Sequence, residues 1–232
     1  MPSRGIPEPD EKEHPWFAAA YDVINYLPER MFFGKYRDRM VDGLEGRVLD
    51  IGCGTGAMFP YYAERNSRFV ETEGCSVSSR RLELHAVEPE PNMLGKARRR
   101  AQDLQLDIQF VRGVGEGLPY RDGSFDHVLT PLVLCSVDDL DICFAEIHRV
   151  LADGGQLRIF EHVGSAGWMR SLQESIQPFW GRVAGGCHLD RDTLDELASS
   201  DYFDVDEAYR INTGFPPVEP FVFAELTKSS RM

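Results

Sequence analysis

Lysine is scarce in this 232-residue chain. Only Lys12, Lys35, Lys96 and Lys228 stand among its 25 basic residues, against 38 acids and a net charge of −13. That balance repels phosphate backbones and anionic lipid surfaces, which argues against a nucleic-acid partner. A carboxylate-rich, lysine-poor chain fits either a high-salt cytoplasm or an ordinary acidic bacterial enzyme. Long apolar runs are missing as well. The longest charge-free stretch, from Ile51 to Ala63, is interrupted by Gly52, Gly54, Gly56 and Pro60 and falls short of the roughly 20 residues a membrane span needs. The first 15 residues, MPSRGIPEPDEKEHP, hold no apolar core of a secretory signal, so a cytoplasmic protein is expected. Paired cysteines are absent too: Cys53, Cys75, Cys135, Cys143 and Cys187 stand singly, with no CxxC. Neither a disulfide framework nor a metal cluster is legible, and isolated buried thiols are expected.

What is present is a globular composition, 42% hydrophobic and 11% aromatic, of a length suited to one domain. Residues 1–15 read as a disordered tail. Residues 16–44 read as an N-terminal helical cap, with Trp16, Ala20, Ile24 and Leu27 at helical spacing beside Phe17 and Tyr21. Residues 45–232 then alternate short apolar runs with helical stretches, the pattern of βα units and a parallel sheet. Strands are expected at Arg47–Ile51, Leu84–Glu88, Ile108–Arg112, His127–Thr130 and Gln156–Glu161. Helices are expected at Asn92–Leu104, Asp138–Leu151 and Leu194–Ala198, with a further apolar stripe of Trp168, Leu172, Ile176, Phe179 and Trp180. That stripe and the N-terminal helix would cover the acceptor side of a pocket. Gly154 and Gly155 read as a chain break, residues 66–81 as a surface insertion, and Phe203–Tyr209 with Phe221–Thr227 as a closing hairpin.

The most informative stretch is VLDIGCGTG at residues 48–56, a strand running straight into alternate glycines and then a helix near Ala57. Alternate glycines allow a tight turn and let a ligand approach the backbone. The dinucleotide fingerprint is GxGxxG with an acid about 20 residues on, whereas the spacing here is GxGxG. Asp50, just before the glycines, would repel a pyrophosphate but suits a cationic amino group. Both features count against a nicotinamide-dependent oxidoreductase. The next strand closes on Glu88, whose carboxylate can accept two hydrogen bonds from a ribose diol.

These residues resemble the class I S-adenosylmethionine-dependent methyltransferases, over nearly the whole chain from Trp16. The resemblance implies a Rossmann-like, doubly wound α/β fold: a mostly parallel seven-stranded sheet ending in a C-terminal antiparallel hairpin. It implies S-adenosylmethionine as cofactor. Asp50, Gly52, Cys53, Gly54 and Gly56 would line its methionine end, Glu88 would hold the ribose, and Pro89 and Met93 would flank the adenosine. GVGEGLP at 113–119 and DGSFDH at 122–127 match the third-strand loop and the turn before strand four, with Gly115 and Glu116 at the adenine edge. Val114 stands where many relatives carry Asp, so a carboxylate contact to the adenine amine would fall to Glu116. Thr130 and Leu132 would face the cofactor from the fourth strand. Within the superfamily, LVLCSV at 132–137, EIHRVL at 146–151, FEHV at 160–163 and GCHLDR at 186–191 resemble the branch containing the animal alkyl-thiol methyltransferases.

The resemblance therefore implies an enzyme that methylates a small, rather apolar acceptor, with a thiol among the candidates. Quinone or isoprenoid C-methylation, phospholipid N-methylation and a non-catalytic cofactor-binding regulator remain as alternatives. Methyl transfer is an in-line displacement in which positioning can supply about 7–11 kcal/mol. A thiol of pKa ~8.5 is about 3% ionised at neutral pH, so a general base adds at most roughly 2 kcal/mol. The candidate bases are His162, next to the fifth strand, and His188, with Glu161 placed to orient His162.

Overall fold

Five largely apolar strands, each leading into a loop, form the parallel part of the sheet. They are β1 (Arg47–Ile51), β2 (Glu83–Val87), β3 (Ile108–Val111), β4 (Phe125–Pro131) and β5 (Leu151–His162). β6 (Phe203–Ile211) and β7 (Phe221–Lys228) complete a seven-stranded sheet of order β3-β2-β1-β4-β5-β7-β6. β7 lies antiparallel to both neighbours, inserted between β5 and β6. This computed structural model describes residues 32–70, 82–214 and 216–230. The expected tail, and the cap helix with Trp16, Phe17, Tyr21 and Leu27, lie outside the described residues.

The helices, α1 (Gly34–Val41), α2 (Phe59–Val70), α3 (Pro91–Asp103), α4 (Leu140–Val150), α5 (Gly167–Val183) and α6 (Thr193–Ser199), sandwich the sheet. One apolar cluster joins Met40, Met58, Phe59, Tyr62 and Ala97 to one face. The other joins Phe144, Ile147, Val150 and Leu197 to the opposite face. Burial on both faces is why Val48, Leu49 and Ile51 of β1 are all apolar, with Asp50 the one buried charged side chain among them. β6 is an edge strand, and its exposed Asp204, Asp206 and Glu207 guard that edge against further pairing. Two helix starts are written in the sequence. Pro91 opens α3 behind Glu90, whose carboxylate accepts from Met93 N at 2.6 Å, and Asp139 accepts from Ile142 N at 3.0 Å ahead of α4.

Buried Arg158 ties α1 to the sheet by donating to Met40 O at 2.9 Å and to Asp42 O, which satisfies the last carbonyls of that helix. Arg149 and Glu146 clamp the loop before β4. The arginine donates to Leu118 O and Tyr120 O while Glu146 Oε2 accepts from Leu118 N, which explains the EIHR motif structurally.

Several expectations need correction. Gly154 and Gly155 lie inside β5 rather than ending it: the pairing with β4 jumps from Phe125↔Leu151 to His127↔Gln156, and the glycines absorb the bulge. α2 runs to Val70, five residues into the expected insertion, whose remainder at 71–81 lies outside the described residues. Trp168, Leu172 and Phe179 of the α5 stripe face outward, while Ile176 and Trp180 are half-buried. Trp168 is 74% and Phe179 69% exposed, while Met169 and Gln173 are the buried positions. The reason is polar. Gln173 accepts from Ser165 N and donates to Pro217 O and Glu219 O, and Gln177 accepts from Leu189 N, so hydrogen bonds orient the helix.

Candidate active site

The candidate residues gather just past the C-terminal ends of β1 to β5, on the edge where the strand order reverses between β1 and β4. That is where open α/β sheets hold ligands. At the end of β1 the chain folds back over β2, with Gly52 N and Cys53 N both donating to Val87 O, at 2.8 and 3.1 Å. The glycines serve two purposes. All three glycines have positive φ; a Cβ on Gly52 would also lie 2.2 Å from Val133 Cγ2 and one on Gly56 2.5 Å from Phe59 Cδ2, so these two serve packing as well as the turn. A Cβ on Gly54 would meet nothing closer than Gly52 O at 4.0 Å, so this position keeps open a space that a ligand can enter.

Asp50 is buried at the base of that loop. Tyr62 donates its hydroxyl to Asp50 Oδ2 at 3.2 Å, whereas Oδ1 is buried without a partner. Burial raises this carboxyl to about 7, against the opposing pull of Tyr62 and Arg37. A buried, orphaned carboxylate oxygen beside an open glycine is the arrangement a ligand ammonium would complete. Glu88, also raised to about 7 by burial, accepts from Gly54 N through Oε2 and from Glu90 N through Oε1, both at 2.9 Å. It ties the glycine loop to the start of α3 and keeps unused lone pairs for a diol. Pro89 and buried Met93 stand beside it. Across β3, Gly115 is buried; Glu116 turns away and accepts from Asp138 N at 2.7 Å and Asp139 N at 3.3 Å. The carboxylate offered to an adenine amine is thus engaged elsewhere, because two backbone N–H groups ahead of α4 need an acceptor.

On the other side of the crevice, Thr130 is fully buried and Leu132 sits in the left-handed region at φ 62°, a costly conformation for a branched residue and one found chiefly at functional sites. The turn this makes carries the chain to Cys135. Its N–H donates to Glu161 Oε2 at 3.3 Å, and Glu161 Oε1 accepts from His162 N at 3.1 Å, so one buried carboxyl joins the ends of β4 and β5. Burial holds the Glu161 carboxyl well up. His162 Nε2 lies 3.0 Å from Cys187 Sγ, and Trp180 Nε1 donates to the same sulfur at 3.3 Å. Cys135 is raised to about 12 by its contact with Cys187 and by burial. For His162, burial pulls the imidazole down, but Cys135 and Glu161 outweigh it and the balance lies upward.

His188 is exposed, with Gln177 Nε2 3.4 Å from its Nδ1, and burial together with Arg191 lowers its pKa. Of the two candidate bases, the structure places only His162 among the buried groups. Isolated buried thiols are found at Cys53 and Cys143 but not at Cys135 and Cys187, which converge with His162 from three chain segments. Sequence reading also missed Tyr62 and Arg37, which act on Asp50, and Arg191, which donates to Leu134 O and Val137 O and holds the loop bearing Cys135. Tyr62 had one signal, its place four residues after Met58 on the inward face of α2.

Residues 49–159 match the family model described as a methyltransferase domain. The chain is 32% identical to the thiol S-methyltransferase TMT1B of Rattus norvegicus over 76% of its length and 68% of that protein. It is 30% identical to the demethylmenaquinone methyltransferase of Thermus thermophilus, over 73% of this chain and 75% of that one. Among solved structures, the [4+2]-cyclase SpnF superposes with a TM-score of 0.70 over 93% of this chain and 94% of the other, at 15% identity, a likeness of fold alone.

Proposed function

The chain belongs to the class I S-adenosylmethionine-dependent methyltransferases, and from that premise we propose that its acceptor is a small, apolar thiol whose sulfur is received beside His162. It is an enzyme acting on a small molecule. Its cofactor, S-adenosylmethionine, supplies a methyl group on an electrophilic sulfonium. Asp50 takes the ammonium of the methionine end at Oδ1, the one buried carboxylate oxygen there without a partner. Gly54 leaves the space for that approach, while Gly52, Cys53 and Gly56 shape the turn. Glu88 keeps the glycine loop closed and accepts from the ribose hydroxyls; Pro89 and Met93 flank the adenosine, and the backbone at Gly115 and Glu116 meets its edge. Thr130 and Leu132 carry the wall between cofactor and acceptor. Placing the two reactants in line is the larger contribution, with the groups around His162 bringing the acceptor sulfur to its reactive state.

The observation that carries the acceptor class is the 32% identity, across 76% of the chain, to an enzyme named for thiol S-methylation. The similarity to a demethylmenaquinone methyltransferase favours a second reading, methylation of a ring carbon. Labelled methyl transfer to a panel of an alkyl thiol, a quinol, a phenol and an amine separates them, and label on the thiol alone is expected. His162→Ala should cost at least tenfold in thiol methylation with cofactor binding unchanged. Label on the quinol alone would replace the thiol reading.

A further inference from the structure

The sulfurs of Cys135 and Cys187 and a ring nitrogen of His162 all lie within 4.8 Å of one another, and all three residues are buried. We propose that these residues bind one zinc ion and that its open fourth position takes the sulfur of the acceptor thiol, a step that rests on the thiol reading above. Zinc bonds of about 2.3 Å to sulfur and 2.0–2.1 Å to nitrogen are reached here by side-chain adjustments on the order of 1 Å. Two sulfurs and an imidazole select zinc over magnesium or calcium, which take oxygen. Three protein ligands rather than four are the mark of a zinc that acts on a substrate.

The backbone around the cluster is fixed before any metal arrives. Glu161 holds the N–H groups of Cys135 and His162, His188 N donates to Cys135 O at 2.8 Å, and Gln177 donates to Cys187 O at 3.1 Å. Each sulfur also faces a donor suited to a thiolate. Trp180 Nε1 donates to Cys187 Sγ at 3.3 Å, and the Ser136 hydroxyl, 3.4 Å from Cys135 Sγ in a pair where either can donate, is able to donate once that sulfur is a thiolate. Such outer hydrogen bonds orient ligands and stabilise the charge a metal-bound sulfur carries. A neutral core thiol needs neither.

The chemistry balances without an additional reagent. As the acceptor sulfur binds zinc it loses its proton to solvent. Zinc with two cysteine thiolates is neutral, so the third thiolate gives the centre a single negative charge, attracted to the sulfonium. A sulfur lone pair then forms the bond to the methyl carbon while the sulfonium's bond to that carbon breaks. The product thioether is a poor zinc ligand and leaves.

The test uses the full chain. Metal analysis should find about one zinc per chain, and cobalt put in its place should show sulfur-to-cobalt charge-transfer absorption. Cys135→Ser and Cys187→Ser should each weaken zinc binding by roughly tenfold or more. His162→Cys, which replaces one soft ligand with another, should retain zinc and so separates ligation from loss of fold. A small alkyl thiol should shift the cobalt spectrum, and its methyl thioether should not. Protein that binds cofactor and methylates the thiol yet takes up neither metal would overturn the zinc site and leave the thiol reading standing. A cobalt spectrum indifferent to the thiol would overturn the open position. A mass lower by two hydrogens, with no metal and with the bond located to Cys135 and Cys187 by peptide mapping, would overturn the proposal.

Discussion

Around the end of β1 the functional groups are two carboxyls, Asp50 beside the glycine turn and Glu88 just past the neighbouring strand β2. Around the ends of β4 and β5 they are two sulfurs, an imidazole and an indole, drawn from segments more than 20 residues apart. Both sides are buried, and both are unfavourable places for charge in the free protein. The difference lies in what relieves them. Asp50 has one oxygen partnered and one orphaned, so in the proposed site a cation from outside would complete the cofactor side. On the acceptor side the groups already face one another, so any ligand must enter between them. One side is a charge waiting for its partner, and the other is a set of donors facing one another.

Asp50→Asn should break this contrast most strongly. An amide cannot provide the charge-assisted bond, so cofactor affinity should fall by about 10- to 100-fold. The cofactor-free protein should melt no lower, because a buried carboxylate is gone. Calorimetric titration and thermal unfolding check the two halves of that statement, and unchanged affinity would remove Asp50 from the site.

The next largest effect is on pH. Asp50 and Glu88 are both raised by burial to about 7, so the folded, cofactor-free protein holds protons there that the unfolded chain has lost above about pH 4. These groups therefore make stability fall as pH rises from about 4 to 7, the reverse of a salt-bridged carboxylate. Cofactor affinity should move the opposite way, rising by up to about tenfold per pH unit and per proton until it levels above pH 7. Asp50→Asn should flatten that slope; an affinity independent of pH in the natural chain would show that neither acid ionises on binding.

Trp180→Phe sharpens the other side. Removing the N–H that points at Cys187 should lower kcat/KM for a thiol by about 2- to 10-fold and leave cofactor affinity unchanged. Equal loss of both would mean that the two sides are not separable.

What was legible follows the same division. The glycine turn, Asp50 and Glu88 are visible because backbone geometry and charge act within a few residues, and the expected β1 coincides with the observed one, Arg47–Ile51. The parallel strands are legible because burial on both faces forces apolar runs. The orientation of α5 was not. Its apolar stripe is genuine, but Gln173 and Gln177 bind turns from distant parts of the chain and rotate Trp168 and Phe179 outward. Likewise Glu116 could be placed at the correct loop, while its engagement with the N–H groups of Asp138 and Asp139 depends on where α4 begins in space.

By itself the sequence determined the class of fold and the nature of the cofactor, and it singled out the acids proposed to meet it, since each rests on local dihedral freedom, short-range charge or period-two burial. Only the tertiary structure decided that Cys135, His162 and Cys187 share one buried point, that Tyr62 and Arg37 act on Asp50, and that β7 lies between β5 and β6. These are contacts between residues far apart in the chain. No periodicity encodes them, and they arise only when the sheet closes and the ends of β4 and β5 come together.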